Sequence, residues 1–297
     1  MFKEPKVTLV RWTPNPIGTV KLIWDAAKTG QDLQELIDEN PCKADSVSKS
    51  LSNYKEAEAL FKKVIAMEIP VAEFVNFVFT FEDVPIFWRE QLVRQRKASY
   101  WSQSHRIFDL SKFRRDELYY VPQSIRDNPE ALQILEKQME LVELAYRTLV
   151  ACGVPMEDAR SVIPMNATHR ISMQLDLRQL LYIIKERSCH ILQGSIWKPI
   201  IDQMINELVV KVDPAFKLLK SPICYHDGKF IGCKFAHDNE RRYEGKDRLP
   251  PCCIWMWRCK ADEDPRELAS AEACLPDRAS YDKSTKIMVD YFGPDIL

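Results

Sequence analysis

The feature that most constrains this chain is a strand-like run that leads, through a short helical pattern, into a cluster of arginine and serine side chains. Residues 74–81 are almost all aromatic or β-branched, a composition typical of a β-strand, and a helical pattern begins at Val84. Residues 94–106 then hold three arginines and three serines in thirteen positions. We therefore expect an ordered basic site where a strand-fed helix ends.

The side chains of this cluster suit a phosphate group. An arginine guanidinium presents planar, paired donors that match phosphate oxygens, and serine hydroxyls can fill the remaining acceptor sites. Two further arginines, Arg160 and Arg187, each precede a serine at a predicted helix boundary. A single surface arginine more often forms a solvated salt bridge, but three such segments together indicate a nucleotide-binding site.

Length and charge limit the class of protein. The chain has 297 residues and a formal net charge of -1, with 42 basic and 43 acidic residues. The length suits one large α+β or α/β domain with an appendage, and the charge balance argues against nucleic acid or an anionic membrane as a partner. The sequence holds no apolar run of about 18 residues and no apolar core of a secretion signal at its start. We expect a soluble, cytoplasmic protein.

Helical spacing predicts most of the remaining elements. Asn128 followed by Pro129 is typical of a helix start, and Gly153 of a helix end, so a long core helix is expected between them. The segment at 108–124 has no clear period and is interpreted as an extended excursion over a site. The other expected elements are a strand at 7–10 and helices at 20–27, 53–69, 156–162, 178–191 and 199–212.

The composition changes near residue 220, where Cys, His and Trp become frequent, and a domain boundary is expected there. Six of the nine cysteines follow that point. Four of them could bind structural zinc: Cys224, Cys233, Cys252 and Cys259. Their spacing differs from the short pairs of zinc fingers, and free buried thiols are the alternative.

The basic cluster resembles the hallmark of the flavin-dependent thymidylate synthases, which reads Arg-His-Arg, two residues, Ser, one residue, Asn-Glu, one residue, Ser, one residue, Arg. In this chain its positions are occupied, without a gap, by Arg94-Gln95-Arg96, Ser99, Trp101-Ser102, Ser104 and Arg106. Gln95 thus stands for the central histidine, and Trp101 and Ser102 stand for Asn-Glu. The resemblance covers about residues 7–235.

The resemblance implies an α+β fold with an antiparallel sheet and long helices in a catalytic domain at 1–220, followed by a Cys/His/Trp-rich extension at 221–297. It also implies a homotetramer whose active sites are shared between subunits. The implied cofactor is FAD. The implied reaction is reductive methylation of dUMP to dTMP with methylenetetrahydrofolate and NADPH.

The resemblance also assigns roles to residues at matching positions. The nucleotide-binding positions are occupied by Gln91, Ser104, Arg106, Arg160 and Arg187. The flavin-binding positions are occupied by Arg94, Gln95, Arg96 and Ser102. Arg187 is the candidate for stabilising the charge that develops on the pyrimidine as its C5 attacks the one-carbon donor, and Ser104 is the second catalytic candidate.

The departures at Trp101 and Ser102 leave the substrate and the product open. Losing a carboxylate and gaining an indole changes the hydrogen bonding and the volume of the site. One alternative is therefore a variant that acts on dCMP or forms a hydroxymethyl product. A second alternative is a non-catalytic relative that only binds a nucleotide.

Overall fold

The computed structural model of the chain describes residues 2–28, 30, 32, 34–36, 51–106, 109–188, 194–219, 225–226 and 229–230. The strands are β1 (Lys6–Trp12), β2 (Asn76–Pro85), β3 (Ser99–Ser102), β4 (Thr168–Asp176), β5 (Tyr225–His226) and β6 (Lys229–Phe230). The α-helices are α1 (Pro16–Lys28), α2 (Leu51–Met67), α3 (Ile86–Leu92), α4 (Gln123–Arg126), α5 (Pro129–Ala151), α6 (Met156–Ala159), α7 (Leu177–Arg187) and α8 (Gly194–Lys211). Short 3-10 helices lie at Pro70–Phe74, Arg160–Val162 and Pro214–Leu219.

The first four strands form one antiparallel sheet in the order β1-β2-β4-β3. Because successive side chains of a strand point to opposite faces, Phe77, Phe79 and Phe81 of β2 all lie on one face, and all three are fully buried. Phe77 packs edge-on against Phe216 at 5.7 Å between ring centroids, and Phe81 lies 5.2 Å from Trp88. The predicted α+β fold with an antiparallel sheet and long helices is confirmed.

A bulge in β2 sets the direction in which the chain enters the basic cluster. The pairing between β2 and β4 shifts register between Phe81 and Val84, and Asp83 inside this interval has a positive φ of 53°. An extra residue of this kind bends a strand and increases its twist. After the bulge, Pro85 pairs with Thr168 and α3 begins at once at Ile86, two residues after the predicted start at Val84. The start of α3 therefore lies next to the start of β4, where the N–H of Ile86 donates to the carbonyl of Ala167 at 3.0 Å.

The long helix α5 begins and ends where the sequence predicts. The side chain of Asn128 accepts hydrogen bonds from the backbone N–H groups of Glu130 and Ala131, both at 3.1 Å, and Pro129 occupies the first turn. Gly153 follows the helix with a φ of 84°, a conformation that costs glycine little. Both local signals of this helix are confirmed.

Replacing Asn128 with alanine is expected to lower the free energy of unfolding by about 1 kcal/mol, because two backbone donors of α5 lose their acceptor. Chemical unfolding followed by circular dichroism measures this change. Asn128→Asp keeps an acceptor oxygen and is expected to remain close to the native value. An equal loss in both variants would show that the side-chain oxygen does not cap the helix.

The structure corrects two expectations and adds two strands that the sequence did not predict. Over its described residues, 109–124, the segment predicted as an extended excursion packs into the protein instead: Phe113, Tyr119 and Val121 are buried in a small core with α5, and Tyr120 donates its N–H to the carbonyl of Asn166. The last helix begins at Gly194 rather than Pro199, because the buried Ile196 and Trp197 continue its apolar face. The central strand β4 and the edge strand β3 were not predicted.

The remaining helices agree with prediction within a few residues, although the end predicted for the helix at 178–191 lies outside the described residues. The chain divides into two compact units, residues 1–183 with 200–217, and residues 184–199 with the described residues after 217. No described helix is long and apolar enough to cross a membrane. The division expected at residue 220 stays a prediction.

Candidate functional site

A cleft of about 650 Å³ opens beside the end of the basic cluster. It is lined by Ile86, Arg89, Ser102, Gln103, Ser104, His105, Glu157, Asp158, Arg160, Ser161 and Ile163. Ser102, Ser104 and Arg160 were predicted site residues, and the fold brings them together from two segments of the chain. The hydroxyls and guanidiniums of the lining are donors that suit a phosphate group, and Glu157 and Asp158 add two carboxylates.

One wall of the cleft is an extension of the sheet beyond β3. The N–H of Gln103 donates to the carbonyl of Arg170 at 2.8 Å, so the pairing with β4 continues past Ser102. The Nε2 atom of His105 lies 3.3 Å from the carbonyl oxygen of Thr168 at the start of β4. Ser104 stands between these two anchors, and its hydroxyl accepts from the N–H of Arg106 at 3.2 Å.

The opposite wall comes from α6 and the 3-10 turn after it. Arg106 donates to one carboxylate oxygen of Glu157, from Nη2 at 2.7 Å and from Nε at 3.3 Å. This pairing lowers the pKa of Glu157 and raises the pKa of Arg106, so both side chains stay charged near neutral pH. Arg160 donates from Nε to the carbonyl of Glu157 at 2.9 Å. Its other guanidinium nitrogens make no hydrogen bond with a described residue, so they are available to a ligand.

The turn between α3 and β3 is held from its buried side. The hydroxyl of Tyr100 donates toward the carbonyls of Leu92 and Gln95, at 2.8 and 3.0 Å. Burial raises the pKa of Tyr100 to about 12, so this donor keeps its proton at working pH. The side-chain carbonyl of Gln95 accepts from the amide of Gln179 at 3.0 Å. The backbone of the turn is thereby fixed.

Two buried histidines lie beside the cleft, and sequence patterns gave no indication of them. His105 and His169 pack edge-to-face with 5.8 Å between ring centroids, and they are 8% and 4% exposed. Burial lowers the pKa of both rings, to about 3 for His169, and the charge of Arg89 lowers both further. Arg89 itself is paired with Glu90 at 2.6 Å. Both imidazoles are therefore neutral near pH 7.

The chain is similar to known proteins over much more than the hallmark. A family model described as thymidylate synthase complementing protein matches residues 8–215. A flavin-dependent thymidylate synthase from Geobacter sulfurreducens is 31% identical over 193 residues, which are 64% of this chain and 77% of that protein. The chain belongs to the flavin-dependent thymidylate synthase family.

Two further matches extend over more of the chain. A flavin-dependent thymidylate synthase from Pyrococcus furiosus is 27% identical over 262 residues, which are 86% of this chain and 96% of that protein. The fold is similar to the crystal structure of the UMP/dUMP methylase PolB from Streptomyces cacaoi bound with 5-Br dUMP. The TM-score is 0.55 at 18% identity, and the match covers 72% of this chain and 93% of that one.

With the chain placed among the flavin-dependent thymidylate synthases, the hallmark separates into an inward and an outward group. Ser102 and Ser104 line the cleft, and Arg106 is bound to the cleft residue Glu157. Arg94 and Arg96 are exposed on the turn after α3. Neither arginine has an ion pair with a residue that the structure describes.

The positions where this member departs from the family hallmark have different surroundings. Gln95, in place of histidine, is 8% exposed and bonded to Gln179. Trp101, in place of asparagine, is 84% exposed on the edge strand β3. Ser102, in place of glutamate, lies in the cleft itself. The change at 102 therefore acts on the cleft directly.

Arg187 lies at the end of α7, in the second unit. Its guanidinium carbon is 4.7 Å from the ring centroid of the buried Trp197, and its Nε lies 4.0 Å from a carboxylate oxygen of Glu186. Stacking on an indole restricts the orientation of a guanidinium. Gln91 is half-buried on α3. The roles of Arg187 and Gln91 stay predictions.

The predicted zinc ligands Cys224, Cys233, Cys252 and Cys259 lie outside the described residues. Within the described ranges, no group of three or more His, Cys, Asp and Glu side chains could hold a metal ion.

Proposed function

We propose that this protein transfers a one-carbon unit to C5 of dUMP and reduces it to a methyl group, which gives dTMP. The proposed cofactor is FAD, the one-carbon donor is methylenetetrahydrofolate and the reductant is NADPH. The observation that carries the proposal is the cleft, where Ser102, Ser104 and Arg160 meet beside Arg106 in a chain of this family. The relatives named above are flavin-dependent thymidylate synthases, which supports the same reaction.

The phosphate of the nucleotide would bind in the cleft. Ser104, Arg160 and Ser161 offer donors there, and Arg106 lies at its rim. Glu157 holds Arg106 through a single carboxylate oxygen, so a dianionic phosphate competes for the same guanidinium. Because both members of this ion pair are exposed, exchange of the partner costs little.

The turn between α3 and β3, which carries Arg94 and Arg96 and is called the arginine turn below, fits the chemistry of a flavin dinucleotide. Arg94 and Arg96 present exposed guanidiniums without ion pairs to described residues, and these suit a diphosphate. The exposed indole of Trp101 on the neighbouring strand offers a flat apolar surface to a planar ring. Bound flavin would supply the reducing electrons. The protein residues would orient the pyrimidine and stabilise its developing charge.

We propose that the guanidinium of Arg187 stabilises the negative charge that builds on the ring carbonyls of the pyrimidine as C5 attacks. The support for this role is its match to the family position and its stacking on Trp197. The developing charge is met by a preoriented cation, and no nucleophilic side chain of the protein is needed.

The proposed assembly is a homotetramer with active sites shared between subunits. The supporting observation is a row of exposed apolar side chains on α5 at helical spacing, formed by Ile134, Leu141 and Leu144. Such a stripe is typical of a helix that packs against another surface.

A second candidate function is favoured by Ser102 in the cleft. A hydroxyl can accept or donate a hydrogen bond, whereas the carboxylate at this position of the hallmark only accepts. This change suits a pyrimidine with a different edge, such as dCMP, or a product that keeps a hydroxymethyl group.

The test begins with protein purified in the presence of FAD, whose visible absorbance reports bound flavin. The protein is then supplied with methylenetetrahydrofolate and NADPH, with dUMP or dCMP in parallel, and the mass of the nucleotide product is measured. Methylated dUMP supports the first proposal. Product from dCMP, or a hydroxymethyl product, supports the second. Nucleotide binding without flavin uptake or turnover would identify a non-catalytic relative. If the protein neither binds nucleotide, nor takes up flavin, nor forms a product, both proposals are overturned.

A further inference from the structure

His105 lines the cleft, yet the proposed reaction gives it no role. It occupies the variable position of the Ser-x-Arg that ends the hallmark, between Ser104 and Arg106. The residue is 8% exposed, and it is one of those that line the cleft. Because Ser104, Arg160 and Ser161 line the same cleft, the ring of His105 is a candidate to contact the proposed phosphate.

The hydrogen bond of His105 determines what its other nitrogen can do. Nε2 lies 3.3 Å from the carbonyl oxygen of Thr168, and a carbonyl can only accept. Nε2 of the neutral ring therefore carries the hydrogen, and Nδ1 keeps a lone pair. No described residue makes a hydrogen bond with Nδ1. Nδ1 can donate a hydrogen bond to an anion only after Nδ1 itself has gained a proton.

Charged groups around the cleft determine the pH at which Nδ1 of His105 gains this proton. They come from every element packed around the ring: Arg89 on α3, Arg106 beside Ser104, Glu157 and Asp158 on α6, Arg160 in the turn that follows, and His169 on β4. Burial first, and the charges of Arg89 and Arg160 after it, oppose protonation of His105 and lower its pKa. A phosphate dianion between these cations would offset their charge and favour the imidazolium.

We propose that His105 binds the phosphate of the nucleotide through Nδ1, and that binding takes up one proton from solvent at this atom. His169 is a positioning residue that holds the ring of His105 edge-on from behind, at 5.8 Å between centroids. The inference rests on the proposed function, since it takes the ligand of the cleft to be a nucleotide monophosphate. The step forms one N–H bond and involves no change of redox state.

Proton uptake is measured by titrating dUMP into the full-length protein in buffers of equal pH, near 7, but different ionisation enthalpies. The dependence of the binding heat on that enthalpy gives the number of protons exchanged. The phosphate of dUMP can itself lose a proton on binding, so the readout is the difference between wild-type protein and His105→Asn. We expect wild-type protein to take up as much as one proton more per nucleotide.

The affinity should follow the same pattern. Because binding and protonation are linked, the ratio of wild-type affinity for dUMP to that of His105→Asn should rise as pH falls. The rise should be about tenfold per pH unit at most. His105→Asn keeps a neutral amide donor and should bind with no such dependence. His105→Phe keeps the ring volume without a donor and should bind more weakly than both. His169→Ala should weaken binding, and His169→Phe should restore it.

The inference and the proposed function can fail separately. If wild-type protein does not bind dUMP, the proposed function fails. If it binds dUMP and His105→Asn shows the same proton count, the inference is overturned. Should the variants not fold, histidine labelled with ¹³C in wild-type protein answers the question, because the chain has five histidines. One ring should gain a higher pKa when dUMP saturates the site, and five unchanged values would overturn the proposal.

Discussion

Arg187→Lys is expected to slow dTMP formation by roughly 10²–10³-fold, the usual effect of losing one oriented donor to a developing charge. Lysine keeps the positive charge but presents a point charge on a flexible stem, where arginine has a planar fork. The stacking on Trp197 at 4.7 Å orients a guanidinium in a way that an ammonium cannot reproduce. Single-turnover formation of dTMP with bound FAD measures the effect on the chemical step.

The control for Arg187→Lys is an arginine-to-lysine substitution at a position outside the proposed site. Arg147 is exposed on α5 and is not among the residues that line the cleft, so Arg147→Lys should leave the rate unchanged. Both variants should unfold at the temperature of the wild-type protein within a few degrees, which separates an effect on catalysis from an effect on folding. A wild-type rate for Arg187→Lys would remove Arg187 from the proposed mechanism.

The second large effect concerns stability in acid. The folded state holds His169 neutral, with its pKa lowered from 6.5 to about 3 by burial first and by the charge of Arg89 second. Neither ring nitrogen makes a well-formed hydrogen bond with a described residue. In the unfolded chain the ring binds a proton below about pH 6.5, and the folded state does not. The contribution of His169 is therefore fully present above that pH and is lost as pH falls toward 3.

At pH 5 this difference amounts to about 2 kcal/mol for His169 alone. His169→Phe keeps a ring of similar size without a titrating nitrogen, so the variant should lose about 2 kcal/mol less than wild-type protein between pH 7.5 and pH 5. Urea unfolding at the two pH values measures this. Glu143, Glu157 and Glu207, whose pKa values are lowered in the folded state, are present in both proteins, so their loss of stability in acid cancels in the comparison. Equal losses would contradict the account of a buried neutral histidine.

Local signals explain which elements could be predicted from the sequence. The cap of α5 is formed by Asn128 on residues two and three positions ahead, so the sequence contains the whole interaction. The strand β2 was predicted because its aromatic side chains make a dense apolar run. Signals of this kind depend on neighbours in the chain and need no knowledge of tertiary contacts.

The elements that were missed depend on distant partners. The apolar side chains of β4, Ile171, Met173 and Leu175, alternate with polar ones, but the strand is stabilised by β2 and β3, which are far away in sequence. The edge strand β3 has only four residues, and its serines were interpreted as binding groups. Strand pairing is a tertiary contact, so neither segment could be distinguished from a loop by composition.

The residues of the candidate site could be predicted from the sequence only where a local motif or a family position identified them. The spacing of the hallmark placed Ser102, Ser104 and Arg106 together, and the family position added Arg160. His105 and His169 were missed because a single histidine has no pattern of its own. Their proximity arises only when β4 is laid beside the chain that leaves β3.

The internal support of the arginine turn bears on how such a protein can diverge. Tyr100 and the Gln95–Gln179 pair secure the backbone from beneath, while Arg94, Arg96 and Trp101 face outward and add little to that support. Mutations at the outward positions can therefore accumulate without unfolding the molecule. A scaffold of this type lets natural selection exchange the groups that meet a ligand while the frame that presents them is inherited unchanged.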